Sequence, residues 1–262
     1  MERNVRTMEK ILEVKNISKK YQNKEGELLA LENVNFRIQK GEFVSIIGPS
    51  GCGKSTLLSI IAGLEEKTTG EIYIEGEKVE GITNKIGYML QTDCLLEWRN
   101  ILSNAMFGLE IKGKKEKEDK IYVENLLKKY HLYDFKDKYP SELSGGMRQR
   151  AALIRTLAIK PKILLLDEAF SALDYQTRIM VTNDIYQILR KEGITALIVT
   201  HDISEAISMS DRVLVLSQRP GTIKDIHKID FGIENRTPIN VRESPKFSKY
   251  FNTLWKELKV DE

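Results

Sequence analysis

The stretch that most constrains this chain is Gly48-Pro49-Ser50-Gly51-Cys52-Gly53-Lys54-Ser55-Thr56. It fits the pattern G-x-x-x-x-G-K-[ST] of a phosphate-binding loop, which works only between a strand and a helix. Both flanks meet that requirement. Phe43-Val44-Ser45-Ile46-Ile47 is short, mostly apolar and rich in β-branched residues, which predicts a buried strand, and residues 56–62 predict a helix that Gly63 ends. Gly48, Gly51 and Gly53 let the backbone come close to an anion, so that successive N–H groups and the helix N-terminus face phosphate oxygens. Lys54 supplies a mobile charge for the β- and γ-phosphates, and the Ser55 hydroxyl is placed to ligate Mg²⁺. Cys52 fills a free position of the loop and receives no catalytic role.

A chain of 262 residues is long enough to bury a large core around such a loop. Lys plus Arg number 41 against 38 Asp plus Glu, so net charge points to no polyanion partner. No apolar run reaches the roughly 18 residues of a membrane span. The first residues, Met1-Glu2-Arg3-Asn4-Val5-Arg6, hold no apolar signal core, which predicts a cytosolic chain. Cys52 and Cys94 lie 42 positions apart, show no metal spacing and fit a reducing compartment.

Taken in order, residues 11–14 and 28–38 predict strands around the polar turn Asn23-Lys24-Glu25-Gly26-Glu27, and residues 70–74 and 86–90 predict two more. A β-rich segment therefore brackets the phosphate loop. From about 100 to 160 the pattern turns helical, with the charged run 112–120 reading as a wet loop or helix start. Strands at 163–166, 195–199 and 212–216 then alternate with helices at 175–191 and 202–209, which calls for a parallel sheet with the loop at its carboxyl edge. Beyond the turn Pro220-Gly221, an edge strand over 222–230 and an amphipathic helix over 246–259 carrying Trp255 are too little for a further domain.

Two more stretches carry chemistry. Ile163-Leu164-Leu165-Leu166-Asp167-Glu168 is an apolar strand ending in adjacent carboxylates at the same sheet edge as the loop. Alternation along a strand predicts that they divide the work, one on Mg²⁺ and one toward attacking water; capping a following helix is the plainer alternative. Leu143-Ser144-Gly145-Gly146-Met147-Arg148-Gln149-Arg150 predicts an N-capped helix start with bare backbone, a second anion site. No partner motif near 144 could hold a base or Mg²⁺, which suggests that two copies of the chain close on a shared ligand.

Residues 143–150 resemble the signature sequence of ATP-binding cassette (ABC) ATPases, and with residues 48–56, Asp167-Glu168 and four single positions the resemblance covers most of residues 11–217. It implies an α/β P-loop NTPase core with a parallel sheet, an N-terminal antiparallel β subdomain and an inserted α-helical subdomain at about 95–160. The ATP-binding domain would occupy residues 1–220, with 221–262 as a C-terminal extension of strand plus helix. In that family two cassettes dimerise head to tail, each ATP lying between the loop of one and the signature (here Ser144, Gly145, Gly146 and Met147) of the other. Tyr21 matches the aromatic that stacks on adenine, although an isolated Tyr is more often core. Gln91 matches the glutamine that reaches Mg²⁺ and the attacking water; a strand-end polar residue is its plain alternative. Asp174 matches the loop crossing the dimer interface, and otherwise caps the helix near Tyr175. His201 matches the switch histidine on the γ-phosphate, where a lone histidine is more often structural. The resemblance makes Glu168 the main catalytic base or water-orienting group, whereas His131 and His227 match nothing. Met147 stands where many cassettes have glutamine and Ala169 where many have proline; neither change removes a ligand.

Cassettes without spans serve separate membrane subunits or work in DNA repair and translation. Repair cassettes split their halves with long coiled coils, and translation cassettes usually carry two loops, whereas here one loop lies about 90 residues before Ser144. Residues 94–104, with Trp98 between polar neighbours, resemble the segment that receives a permease's coupling helix in the branch importing nitrate, sulfonates and taurine; subdomain core is the alternative for Trp98. Ser217-Gln218-Arg219-Pro220-Gly221 also looks like that branch. The expectation is a cytoplasmic ATPase subunit of an importer, held at the inner face of the cell membrane by two permease subunits. It would act as a homodimer with ATP and Mg²⁺, served by an extracytoplasmic solute-binding protein and by no nucleic acid. An importer ATPase for a thiamine-precursor pyrimidine is the runner-up. Soluble cassettes acting on nucleic acid or ribosomes, and a small-molecule kinase using the loop alone, are the alternatives of other classes.

Overall fold

The structure is a computed structural model that describes residues 9–259 apart from 24, 25 and 115. Lys24 and Glu25 of the expected turn, and the N-terminal residues weighed as a signal, lie outside the described residues. The chain begins with a long antiparallel hairpin, β1 (Lys10–Asn23) and β2 (Gly26–Gln39), paired from Lys10↔Gln39 to Asn23↔Gly26. Both strands outrun their apolar segments because the ladder shifts register along its middle. Asn16 and Asn33 take φ of 51° and 47° there, a left-handed region that Asn tolerates better than most residues. Side chains satisfy the freed amides: Asn16 N donates to Asn35 Oδ1 (2.9 Å) and Asn33 N to Ser18 Oγ (2.9 Å).

The buried strand β3 (Phe43–Ile47) leads through the loop into α1 (Lys54–Ala62), capped by Gly63 at φ 75°. Then come β4 (Thr69–Ile74), β5 (Glu77–Lys78) and β6 (Ile86–Met89). Helices α2 (Ile101–Ile111), α3 (Lys117–Lys129) and α4 (Gly145–Ala158) form the helical insertion. The charged run thus spans the α2–α3 loop and the first turn of α3, where Glu116 and Asp119 form a capping box. The remainder alternates β7 (Ile163–Asp167), α5 (Tyr175–Lys191), β8 (Thr195–Val199), α6 (Ile203–Met209) and β9 (Arg212–Leu216). Last come β10 (Ile223–Lys228) and α7 (Pro245–Lys259).

Two sheets result. The smaller is antiparallel, in the order β2-β1-β4-β5; the larger runs β10-β9-β3-β8-β7-β6, parallel except for β10. All five residues of β3, β7 and β8 are buried, as strands covered on both faces must be. Alternation divides the core. Val44, Ile46, Leu165, Leu197 and Val199 pack with α1 and the small sheet, while Phe43, Leu164, Leu166, Ala196 and Ile198 pack with the helices 101–158 and α5. Ile47, Val213 and Val215 form a third cluster with α6 and the apolar face of α7. Among the described residues no helix is long and apolar enough to cross a membrane.

Candidate active site

The loop leaves β3 and wraps the start of α1. Gly53 sits at φ 102°, and a Cβ there would come within 2.7 Å of Leu31 Cδ2, so only glycine fits between loop and β2. Lys54 folds back over the loop, its Nζ donating to the carbonyls of Gly48 (2.8 Å) and Pro49 (2.9 Å). Cys52 turns inward and is 1% exposed. Burial pushes its thiol pKa up, which keeps it protonated and unreactive. Its part in the loop is therefore backbone.

Ser55 Oγ donates to Asp167 Oδ1 at 3.0 Å, and the Tyr88 hydroxyl to Asp167 Oδ2 at 3.0 Å. Burial raises the pKa of Asp167 while these two donors pull it down, and burial lifts Tyr88 to about 12. A carboxylate and a hydroxyl at this spacing are hard oxygen donors suited to Mg²⁺, and a nearby cation would relieve the burial cost of Asp167.

Glu168 is aimed differently from the way strand alternation predicts. Strand β7 ends at Asp167, and Glu168 takes φ 46°, a left-handed turn costly for an ordinary residue. Its N–H still donates to Val199 O at 2.8 Å, so the kink is tied to the next strand. The turned side chain enters the cleft, where its Oε2 lies 3.1 Å from Nδ1 of His201, just past the end of β8.

The cleft holds about 540 Å³ and brings together Tyr21, Gly48, Ser50, Gly51, Gly53, Lys54, Ser55, Thr56, Glu168 and His201. The Tyr21 hydroxyl is 3.5 Å from Thr56 Oγ1, and Lys19 Nζ lies 4.7 Å from the ring centroid. Leu28 and Ala30 of β2 add an apolar wall suited to a base. Pro49 is on the loop but does not line the cleft; Asp167 lies beneath it, joined through Ser55. Gln91 is not among the lining residues: its Nε2 donates to Ser171 Oγ (3.4 Å), which in turn donates to Glu168 O (2.8 Å).

Arg219 also lines the cleft, with no role assigned to its side chain by sequence reasoning. Its Nε and Nη2 donate to Gly51 O at 3.2 and 2.9 Å, gripping the outer side of the phosphate loop. The same turn is fastened to β2, with Gly221 N on Ala30 O (2.9 Å) and Glu32 N on Gly221 O (3.1 Å). A Cβ on Gly221 would lie 2.1 Å from Cys52 O, so the turn is packed directly under the loop. Its sequence signals were the Pro-Gly pair after a strand and the likeness of residues 217–221 to the importer branch.

Ser144 caps α4 by accepting from Met147 N at 3.4 Å, and Gly145 beside it is exposed. None of Ser144, Gly145, Gly146 and Met147 lines the cleft. Asp174 caps α5, accepting from Thr177 N at 3.0 Å, a bond that holds its carboxyl below the usual range. Trp98 is 75% exposed, which removes the core alternative, while Leu95 and Ile101 beside it are buried. Asn104 fixes this segment: its Nδ2 donates to the carbonyls of Leu96, Arg99 and Asn100, and its Oδ1 accepts from Leu96 N.

A strand–loop–helix phosphate cradle, a Ser–Asp pair and a Glu–His pair on neighbouring parallel strands define a nucleoside-triphosphatase. The family model described as ABC transporter matches residues 31–171. A Bacillus subtilis protein described as the uncharacterised ABC transporter ATP-binding protein YtlC is 46% identical, over 94% of this chain and 95% of its own. The nitrate import ATP-binding protein NrtD of Synechocystis is 40% identical, over 93% of both chains. The aliphatic sulfonates import ATP-binding protein SsuB of Bacillus cereus is 42% identical, over 86% of both. Among solved structures, the dimeric post-hydrolysis state of the cassette MJ0796 bound to ADP and Pi superimposes with a TM-score of 0.72. It is 34% identical and covers 84% of this chain and 99% of its own. The chain belongs to the ABC transporter family, as an ATP-binding ATPase subunit.

Proposed function

We propose that this chain energises an ABC importer for a small solute of the nitrate, sulfonate or taurine kind, acting on separate permease subunits at the membrane. The observation that carries the proposal is the division of the site: the phosphate loop with Lys54 meets Glu168 and His201 in one open cleft, and the second anion-binding part, the bare start of α4, lies outside it. A site so divided is completed by a second copy, whose Ser144, Gly145 and Gly146 would close on the γ-phosphate. Asp174 would then stand at the seam between copies.

On this proposal Tyr21 and the Leu28 wall take the base, the amides of residues 48–56 take the phosphates, and Lys54 swings from its own loop carbonyls to the β- and γ-phosphates. Ser55 and Asp167 would hold Mg²⁺, with Gln91 as a further ligand; the ion would neutralise charge developing on the phosphoryl oxygens. Glu168 orients or deprotonates the attacking water, and His201 holds Glu168 and the γ-phosphate in place. The ATP-binding unit is residues 1–220, with 221–262 as an extension.

Import rather than action on nucleic acid or ribosomes is supported by the likeness to nitrate and sulfonate import ATP-binding proteins and by the exposed Trp98 on a segment that Asn104 holds rigid. An exposed tryptophan on a fixed platform is suited to receive a partner's helix. Affinity purification of the tagged chain from native membranes tests the proposal. Recovery of permease subunits, with a solute-binding protein encoded alongside, is expected; recovery of ribosomes or nucleic acid instead would overturn it.

A further inference from the structure

Away from the cleft, the C-terminal strand and helix bring together three side chains that the nucleotide chemistry does not use. Asp225 and His227 are two apart on β10 and so share one face of that edge strand. Glu257 reaches the same point from the last turns of α7. His227 Nε2 lies 2.8 Å from Glu257 Oε1 and 3.5 Å from Asp225 Oδ2, and one ligand atom from each residue falls within 4.8 Å of the others. In a tetrahedral site with bonds of about 2.0–2.1 Å, ligand atoms stand roughly 3.3 Å apart, and the two histidine distances bracket that spacing.

The polar atoms here are poorly served by the protein alone. The side chains of His227 and Glu257 are only 19% and 22% exposed, and His227 Nε2 and Glu257 Oε2 are buried without a hydrogen bond. A simple ion pair would aim an N–H of the imidazolium at the carboxylate; here the close Nε2···Oε1 approach lacks that alignment. Leaving such atoms unserved is costly, whereas an imidazole nitrogen and two carboxylate oxygens converging on one point can share a cation. Asp225, 57% exposed, leaves a side open for entry and for a water ligand.

The geometry points to a binding site for a divalent first-row transition ion, Zn²⁺ in character, made by Asp225, His227 and Glu257. An imidazole among carboxylates favours Zn²⁺, Co²⁺ or Mn²⁺ over Mg²⁺ and Ca²⁺, which prefer oxygen throughout. The ion would staple α7 to β10, adding a polar tie to the apolar seam at Leu254. None of the three residues lines the nucleotide cleft, so the site is independent of hydrolysis.

The full-length chain, stripped of metal and free of nucleotide, is titrated with Co²⁺ while visible absorption is recorded, and Zn²⁺ is then added as competitor. One equivalent of Co²⁺, displaced by Zn²⁺, is expected. His227→Gln and Glu257→Gln should each weaken it at least about tenfold and leave ATPase activity unchanged. Asp225→Asn, at an exposed position, gives the same reading should the buried changes disturb folding. Amide exchange should slow across residues 245–259 when Zn²⁺ is added. Failure to bind Co²⁺ at micromolar concentrations, or binding that Asp225→Asn and His227→Gln leave unchanged, would overturn the site and return the cluster to an ordinary ion pair.

Discussion

Replacing Glu205 by Gln should stabilise the protein, and more so as pH rises. Glu205 lies on α6, 7% exposed, with Oε2 accepting from Thr200 Oγ1 at 2.5 Å and Oε1 buried without a partner. Burial lifts its pKa from 4.5 to about 7, against the pull of the Thr200 bond. The folded chain therefore keeps the proton up to about pH 7, whereas the unfolded chain releases it near 4.5. Between those values the folded state binds more protons, so stability falls as pH rises through the window; below it the group contributes nothing, and above it the full cost persists. At about 1.4 kcal/mol per pH unit over roughly 2.5 units, the cost above pH 7 is about 3 kcal/mol. Glutamine cannot ionise, and its carbonyl can keep the Thr200 bond. Denaturant melts of both proteins at pH 5 and pH 8, without nucleotide, measure the difference. The variant should gain about 2.5 kcal/mol on the wild type between the two pH values, since part of the cost is already present at pH 5, or roughly 5–10 °C in thermal midpoint for a chain of this size. Stability curves that run parallel within about 0.5 kcal/mol would refute a buried, neutral Glu205.

Glu168→Gln should bind ATP normally, lose at least about 100-fold in phosphate release and accumulate an ATP-bound dimer on size exclusion; unimpaired turnover would remove Glu168 from its proposed role. Arg219→Ala removes both donors from Gly51 O and should weaken ATP binding by roughly 5- to 100-fold, the equivalent of about 1–3 kcal/mol, with Arg219→Lys intermediate. Equal affinities in a fluorescent-nucleotide titration would show that the loop holds its shape unaided. Trp98→Ala should change stability by less than about 0.5 kcal/mol and lower transport in reconstituted vesicles more than it lowers the isolated subunit's ATPase; equal losses would count against a permease contact.

Much of the α/β half was legible because single residues mark its boundaries. Asp174 starts α5 by capping it, and the unbroken apolar runs of β8 and β9 begin and end at the residues their patterns predict. The hairpin was half legible. Its bulges at Asn16 and Asn33 interrupt the period-two pattern, so residues past the break pair without alternating, which periodicity cannot detect. Arg219 was missed for a different reason: its partner is a backbone carbonyl 168 positions away, and no local pattern records such a contact. The exposure of Trp98 also comes from tertiary structure, since Leu95 and Ile101 in the same short segment are buried.

Glu168 enters the cleft for a reason that strand periodicity does not contain. Alternation along β7 separates Asp167 from its successor, but the direction of Glu168 comes from a left-handed turn held on one side by Val199 O and on the other by Ser171 Oγ. Ser171 also accepts from Gln91, at the end of β6 beside the helical insertion. A rotation of that insertion would therefore reach the carboxylate through two hydrogen bonds, Gln91 to Ser171 and Ser171 to Glu168 O. Strain at Glu168 makes the link effective: a residue resting in a broad backbone minimum would absorb the displacement, whereas one held at φ 46° by its neighbours moves when they do.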